Sequence, residues 1–353
     1  MTILYLYDAD RSDLTPDFMI RLSIKRLPSS QIGPKRQAYT LVPDGLQHPK
    51  FKGQDSHRGH YVVCRRAAIR EFDKRGTAPF ITHSQHNAAL KEEFFFFFQG
   101  CYRRLLSTQI KLPSSLLDYI SHLLRLRILQ ELELLAARLQ ACPQGAEESP
   151  LLRRLTWKEF SAVRAGKPLE DPDAVAVLVV PSLSRDPTTK ERVVPDASPL
   201  PPKLPSMEVQ PTTRNGHPMP LSTMCYAVSP KDYEGPGAPD VITPMKVPLY
   251  NGVALFPSIP QRAALHERLC KVLLVERRAR WRQHGPVSAS ESGDGRPATR
   301  RPNQVPSPAF LLRSGAETVL RADAVPLAIA LWRLRMWEGD SWERSEGTWA
   351  AVV

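Results

Sequence analysis

Proline placement sets the first limit on what this chain can fold into. Nineteen of its 34 prolines fall within residues 167–260, and each removes a backbone donor and restrains the residue before it. That density, with Pro195, Pro199, Pro201, Pro202 and Pro205 close together, predicts an extended linker. Such a linker is a plain spacer or a docking site for a proline-recognising partner. A second polar stretch, Pro286 to Pro308, is similarly low in complexity. The 353 residues would allow two domains, but with so much proline a large single-core enzyme is not expected.

Charge and cysteine content narrow the function classes. Lys and Arg number 48 against 36 Asp and Glu, a formal net charge of +12. The richest apolar run, Leu116 to Leu139, is broken by Asp118, Arg125, Arg127, Glu131, Glu133 and Arg138, which excludes a membrane span there. Five cysteines, odd in number and far apart, form no C-x-x-C pair. Neither a disulfide framework nor a structural zinc site is indicated, which favours a reducing compartment. No G-x-S-x-G, G-x-x-x-x-G-K-[ST], H-E-x-x-H or G-x-G-x-x-G string is present, so nothing forces an enzyme. The pairs His57 with His60 and His83 with His86 lack companion ligands and are expected to be surface histidines. Asp171 and Asp173, beside prolines, are expected in a loop rather than as paired catalytic carboxylates.

Residues 1–99 show poor apolar periodicity. Met19 to Leu27 and Ala38 to Val42 each predict a short strand, yet they do not define a core, and the segment is expected to be poorly structured. Five consecutive phenylalanines, Phe94 to Phe98, fit neither the helix nor the strand period. Their pyrimidine-rich codons, followed by Gln99 and Gly100, match a translated polypyrimidine tract and intron acceptor. Residues up to about Gln99 are therefore expected to include intron read-through, the alternative being a genuine apolar helix start; transcript sequencing across the junction decides between them.

From Gly100 the pattern becomes regular. Cys101, Tyr102, Leu105, Leu106 and Ile110 recur at spacings of three and four, one helix face that Pro113 stops. Ser115 and Asp118 predict a capping box opening a second helix from Leu116 to about Leu139. Tyr102, Leu105, Ile120, Leu124, Ile128 and Leu135 form the expected core of this antiparallel pair. A third helix is expected from about Ser149, with Thr156 and Glu159 as a capping signal, Gly166 as its stop, and Leu151, Leu152, Leu155, Phe160 and Val163 buried. After the linker, Gln261 to His284 reads as a basic amphipathic helix, with Leu265, Leu269, Val272 and Leu273 opposite Arg268, Arg277, Arg278, Arg280 and Arg282. A last helix is expected from Asp323, with Pro326 in its first turn and Leu327, Leu331, Leu334 and Trp337 on its apolar side, up to Gly339. The expected fold is thus all-α: a small antiparallel three-helix bundle at 100–166, the Pro-rich linker at 167–260, a C-terminal helical extension at 261–338 and a tail at 339–353.

The string Cys101-Tyr102-Arg103-Arg104-Leu105-Leu106, followed by Lys111-Leu112-Pro113 and the helix from Leu116, resembles the LYR-motif proteins. These are small three-helix mitochondrial factors whose first helix carries Leu-Tyr-Arg and aliphatic residues. The resemblance covers Gly100 to Leu139, and extends to Gly166 if the third helix is included. Cys101 replaces the motif leucine, and the chain is much longer than typical members. The resemblance implies a non-enzymatic adaptor of the mitochondrial matrix that binds the acyl carrier protein and supports assembly of a respiratory, iron–sulfur or ribosomal client complex. It implies that Arg103, Arg104, Arg125 and Arg127 meet the carrier's carboxylates. Tyr102, Leu105, Leu106, Ile120, Leu124 and Ile128 would enclose its acyl-phosphopantetheine chain, the chain itself having no cofactor of its own. The alternative is a basic RNA-binding or ribosome-associated accessory protein, with phosphate attraction from the helix ending at Arg282 and from Arg296, Arg300 and Arg301.

Overall fold

The computed structural model describes residues 6–7, 18–26, 39–53, 59–75, 110–111, 113–142, 150–183, 190–191, 193–198, 219–227, 246–284 and 306–338. Its strands are β1 (Leu6–Tyr7), β2 (Met19–Arg26), β3 (Tyr39–Asp44), β4 (Gly59–Val63), β5 (Ile110–Lys111), β6 (Leu152–Arg154), β7 (Ala174–Val179), β8 (Ser222–Tyr226), β9 (Lys246–Asn251) and β10 (Ala309–Arg313). Its helices are α1 (Arg66–Arg75), α2 (Leu116–Ala141), α3 (Trp157–Arg164), α4 (Gly252–Leu255), α5 (Ile259–His284), α6 (Ala316–Arg321) and α7 (Val325–Glu338). The chain divides into two compact units, Met1–Arg127 with Arg333–Trp342, and Ile128–Trp332 with Glu343–Val353.

The first unit is built on a sheet of order β1-β4-β2-β3-β5. Its centre is the antiparallel set β4, β2 and β3, and the two outer strands each pair over only two residues. Along β2, Ile20 and Leu22 point to one face and are fully buried, while Arg21 and Ser23 alternate with them. Arg21 lies opposite Asp44 in the register and binds it at 2.6 Å, a cross-strand ion pair that fixes the β2–β3 alignment. Both strands expected in this region are present, but the expectation that they define no core fails: Met19, Ile20, Leu22 and Leu41 are all buried.

The second unit holds a mixed sheet of order β6-β10-β7-β9-β8. β10 runs antiparallel to β6 and β7, β7 runs parallel to β9, and β8 closes the edge antiparallel to β9. Every residue of β10 and nearly every residue of β7 is buried. A strand covered on both faces needs no polar alternation, which is why Ala-Val-Ala-Val-Leu-Val serves for β7. One face meets α3: Leu155, Phe160 and Val163 share a cluster with Val177, Val179, Leu249 and Leu311. The opposite face meets α5, where the His266 ring stands edge-on to Phe310 at 6.0 Å. Gly252, directly after β9, brings the backbone against β7, since a Cβ there would sit 2.6 Å from the Val179 carbonyl oxygen.

These sheets overturn the all-α, three-helix-bundle expectation. Strands β7, β8 and β9 all come from 167–260, so that stretch is not simply an extended linker. Pro248 sits inside β9 without harm because the pairing with β7 starts one residue later, at Leu249. The third helix is also shorter than expected: residues 152–154 form β6, and α3 begins at Trp157. Its cap is as read, a Thr156–Glu159 box, and Gly166 follows at φ +77°. Helices α2, α5 and α7 stand within two residues of the expected starts and ends, and all four apolar residues assigned to α7 are buried.

Candidate functional site

The residues singled out by sequence fall into three groups. Tyr102, Arg103, Arg104, Leu105 and Leu106 lie outside the described residues. Ile110, expected on the same helix, instead pairs in parallel with Tyr39 as part of β5. The α2 residues are described, with Ile120 and Leu124 in the first unit and Ile128 in the second, at 0%, 1% and 0% exposure. Protein already encloses these three side chains. The reason is that α2 is buried around most of its circumference, Ser121, His122, Gln130 and Glu131 included, as befits a helix running through an interior rather than along a surface.

Arg125 is committed as well. Its Nη2 donates to Glu338 Oε1 at 3.1 Å, and Glu338 Oε2 accepts from Arg66 Nη1 at 2.7 Å. The second nitrogen of Arg66 reaches Asp118 at 2.9 Å. Two cations and two carboxylates thus tie the ends of α1, α2 and α7 together within the first unit. Beside them the fully buried Trp337 donates its indole N–H to Ser121 Oγ at 2.8 Å. Arg127 is half-buried. Sequence reasoning missed Arg66 and Glu338, because Glu338 lies 213 residues from Arg125 and no local pattern joins them.

The second unit gathers the most chemically suggestive cluster. Cys270 and His266, one turn apart on α5, place sulfur 3.8 Å from both ring nitrogens. Arg154 Nη2 donates to the sulfur at 3.5 Å, and the guanidinium lies 4.7 Å from the Phe310 centroid. As nucleophile and base such a pair would have the neutral imidazole take the thiol proton, leaving a thiolate beside an imidazolium. Burial works against both: it pushes the Cys270 thiol up despite Arg154, and burial together with Arg154 pushes His266 down. Both shifts favour the neutral thiol and the neutral imidazole over the ion pair.

Two ion-pair groups complete the unit, one part-buried around Asp171 and one buried at Glu276. Arg313 lies 3.0 Å from Asp171 and 3.2 Å from Asp173, and Arg153 links Asp171 to the capping residue Glu159 at 3.5 and 2.8 Å. Asp171 and Asp173 occupy the loop before β7, as expected, and act there as anchors for β10 and β6. Elsewhere Arg321 Nη2 binds Glu276 at 2.7 Å, and the other Glu276 oxygen accepts from the Leu151 N–H at 3.1 Å.

Among the described residues no cluster of three or more His, Cys, Asp or Glu could hold a metal ion, and no helix is long and apolar enough to cross a membrane. No family model, no curated protein and no solved structure matches the chain.

Proposed function

We propose that this chain is a non-catalytic LYR-type adaptor of the mitochondrial matrix, which binds an acylated acyl carrier protein and supports assembly of a respiratory, iron–sulfur or ribosomal complex. The observation in its favour is one of order. Tyr102, two arginines and two leucines are followed, past Pro113, by an unbroken helix of 26 residues. The roles within that string are then unequal. Ile120, Leu124 and Ile128 are enclosed and Arg125 is paired with Glu338, so these α2 residues position the site rather than touch the partner. Contact with the carrier's carboxylates falls to Arg103 and Arg104, and the acyl chain to Tyr102, Leu105 and Leu106.

The test uses the full chain and purified acyl carrier protein carrying either an acyl group or a bare phosphopantetheine thiol. The expected result is preference for the acylated form, with affinity falling at least about tenfold in Tyr102→Ala/Arg103→Ala, the loss of two charge-assisted or apolar contacts. Circular dichroism checks that the variant keeps its helix content. Equal binding by the folded variant, or none by the folded wild type, would remove the reading.

A further inference from the structure

The outer face of α5 is an unpaired cationic surface. Lys271, Leu274 and Arg278 follow at spacings of three and four, with Arg277 beside them, and all four are exposed. Leu265, Leu269, Val272 and Glu276, on the opposite side of the same helix, are buried. Among the described residues Lys271, Arg277 and Arg278 have no ion-pair partner, whereas Arg268 on the helix flank is paired with Glu133. Glu267, exposed one turn before Lys271, marks the limit of the basic face.

Helix electrostatics accounts for only part of this. Cations stabilise a helix C-terminus within about its last turn, and α5 ends at His284. Lys271 stands more than three turns earlier, and Arg277 and Arg278 about two turns earlier, so the dipole does not explain them. Among the side chains described on this face, Leu274, at 44% exposure, is the one large apolar residue, and it forms no apolar anchor set by itself. A stable protein interface wants a central apolar anchor set within about 800 Å² per partner.

From these observations we infer that the Lys271, Arg277 and Arg278 face of α5 is a docking surface for the phosphate backbone of RNA. Seven residues at about 1.5 Å each place Lys271 and Arg278 about 10 Å apart along the helix. The net charge of +12 adds long-range attraction for a polyanion. Recognition of this kind is insensitive to sequence, because the phosphates are the same everywhere. The inference goes beyond the adaptor reading and does not depend on it.

The experiment measures fluorescence anisotropy of a labelled mixed-sequence RNA oligonucleotide with the full chain across a salt series. The expected result is a linear fall of log affinity with log salt. In Lys271→Gln/Arg277→Gln/Arg278→Gln the slope should shrink by about two to three, at roughly 0.7–0.9 per lost phosphate contact. A control, Lys158→Gln/Lys167→Gln on and after α3, should keep the full slope, and thermal melting should be unchanged in both variants. An unchanged slope in the triple variant would overturn the proposal. So would equal affinity for polyglutamate with the same loss in the variant, which would assign the face to acidic protein. Retained binding of acyl carrier protein by the triple variant separates this outcome from the fate of the adaptor reading.

Discussion

Arg321 and Glu276 illustrate what single residues do in this chain. Their side chains are 5% and 1% exposed, and the guanidinium uses one nitrogen on the carboxylate while Nε and Nη1 have no partner among the described residues. A buried pair with unsatisfied donors contributes little net stability, yet breaking it is costly because the surviving charge stays buried. Arg321→Ala is therefore expected to destabilise the second unit by about 3–5 kcal/mol, read from urea unfolding. Arg321→Met/Glu276→Met should lose clearly less than Arg321→Ala; a double variant losing as much or more would contradict this account of the pair. Burial pushes the thiols of Cys64 and Cys225 up to about 11, which favours their neutral form. None of these roles is written locally: Glu276 and Arg321 are 45 residues apart, and each looks like an ordinary charge at a helix surface.

Elements were readable where a local rule decides them. The Thr156–Glu159 box is complete in both directions, with Glu159 N–H donating to Thr156 Oγ1 at 3.2 Å and Thr156 N–H donating to Glu159 Oε2 at 2.7 Å. Burial would push the Glu159 carboxyl up, but the hydrogen bonds from Thr156 and the Arg153 guanidinium outweigh it and hold the net value below the usual 4.5. A carboxyl depressed in the folded state stabilises fully above its unfolded value and loses that contribution as pH falls through the folded one. In Glu159→Gln the stability deficit should be about 0.3–1 kcal/mol near neutral pH, and it should close as pH falls below about 4.5. Urea midpoints of both proteins across that range check it, and a deficit that persists in acid would contradict the cap account. The long helices α2, α5 and α7 were equally legible from periodicity and from Pro113 and Pro326. Strands β7 and β9 were not. Val175 to Val180 is a short apolar run of the kind a doubly covered strand requires, but Pro172 and Pro181 flank it and made the stretch resemble its proline-rich surroundings. Pairing of β10 with β7 joins segments about 135 residues apart, which no windowed pattern can reveal.

At the scale of the whole molecule, two units of mixed α/β structure replace the expected helical bundle. Helix α2 contributes to both, and its burial explains why Ile120, Leu124 and Ile128, first assigned to an acyl pocket, are enclosed. The motif string from Tyr102 to Leu106 lies outside the described residues, while the burial of Ile120, Leu124 and Ile128 and the pairing of Arg125 with Glu338 were not legible in any local pattern. On the adaptor proposal, what remains for the partner is a short basic and aliphatic stretch from Tyr102 to Leu106. The most direct measurement of the adaptor claim is native mass spectrometry of the full chain co-expressed with acyl carrier protein. The account predicts a one-to-one complex whose carrier bears an acyl group on its phosphopantetheine. The folded chain appearing only alone, or bound equally to carrier without an acyl group, would contradict it.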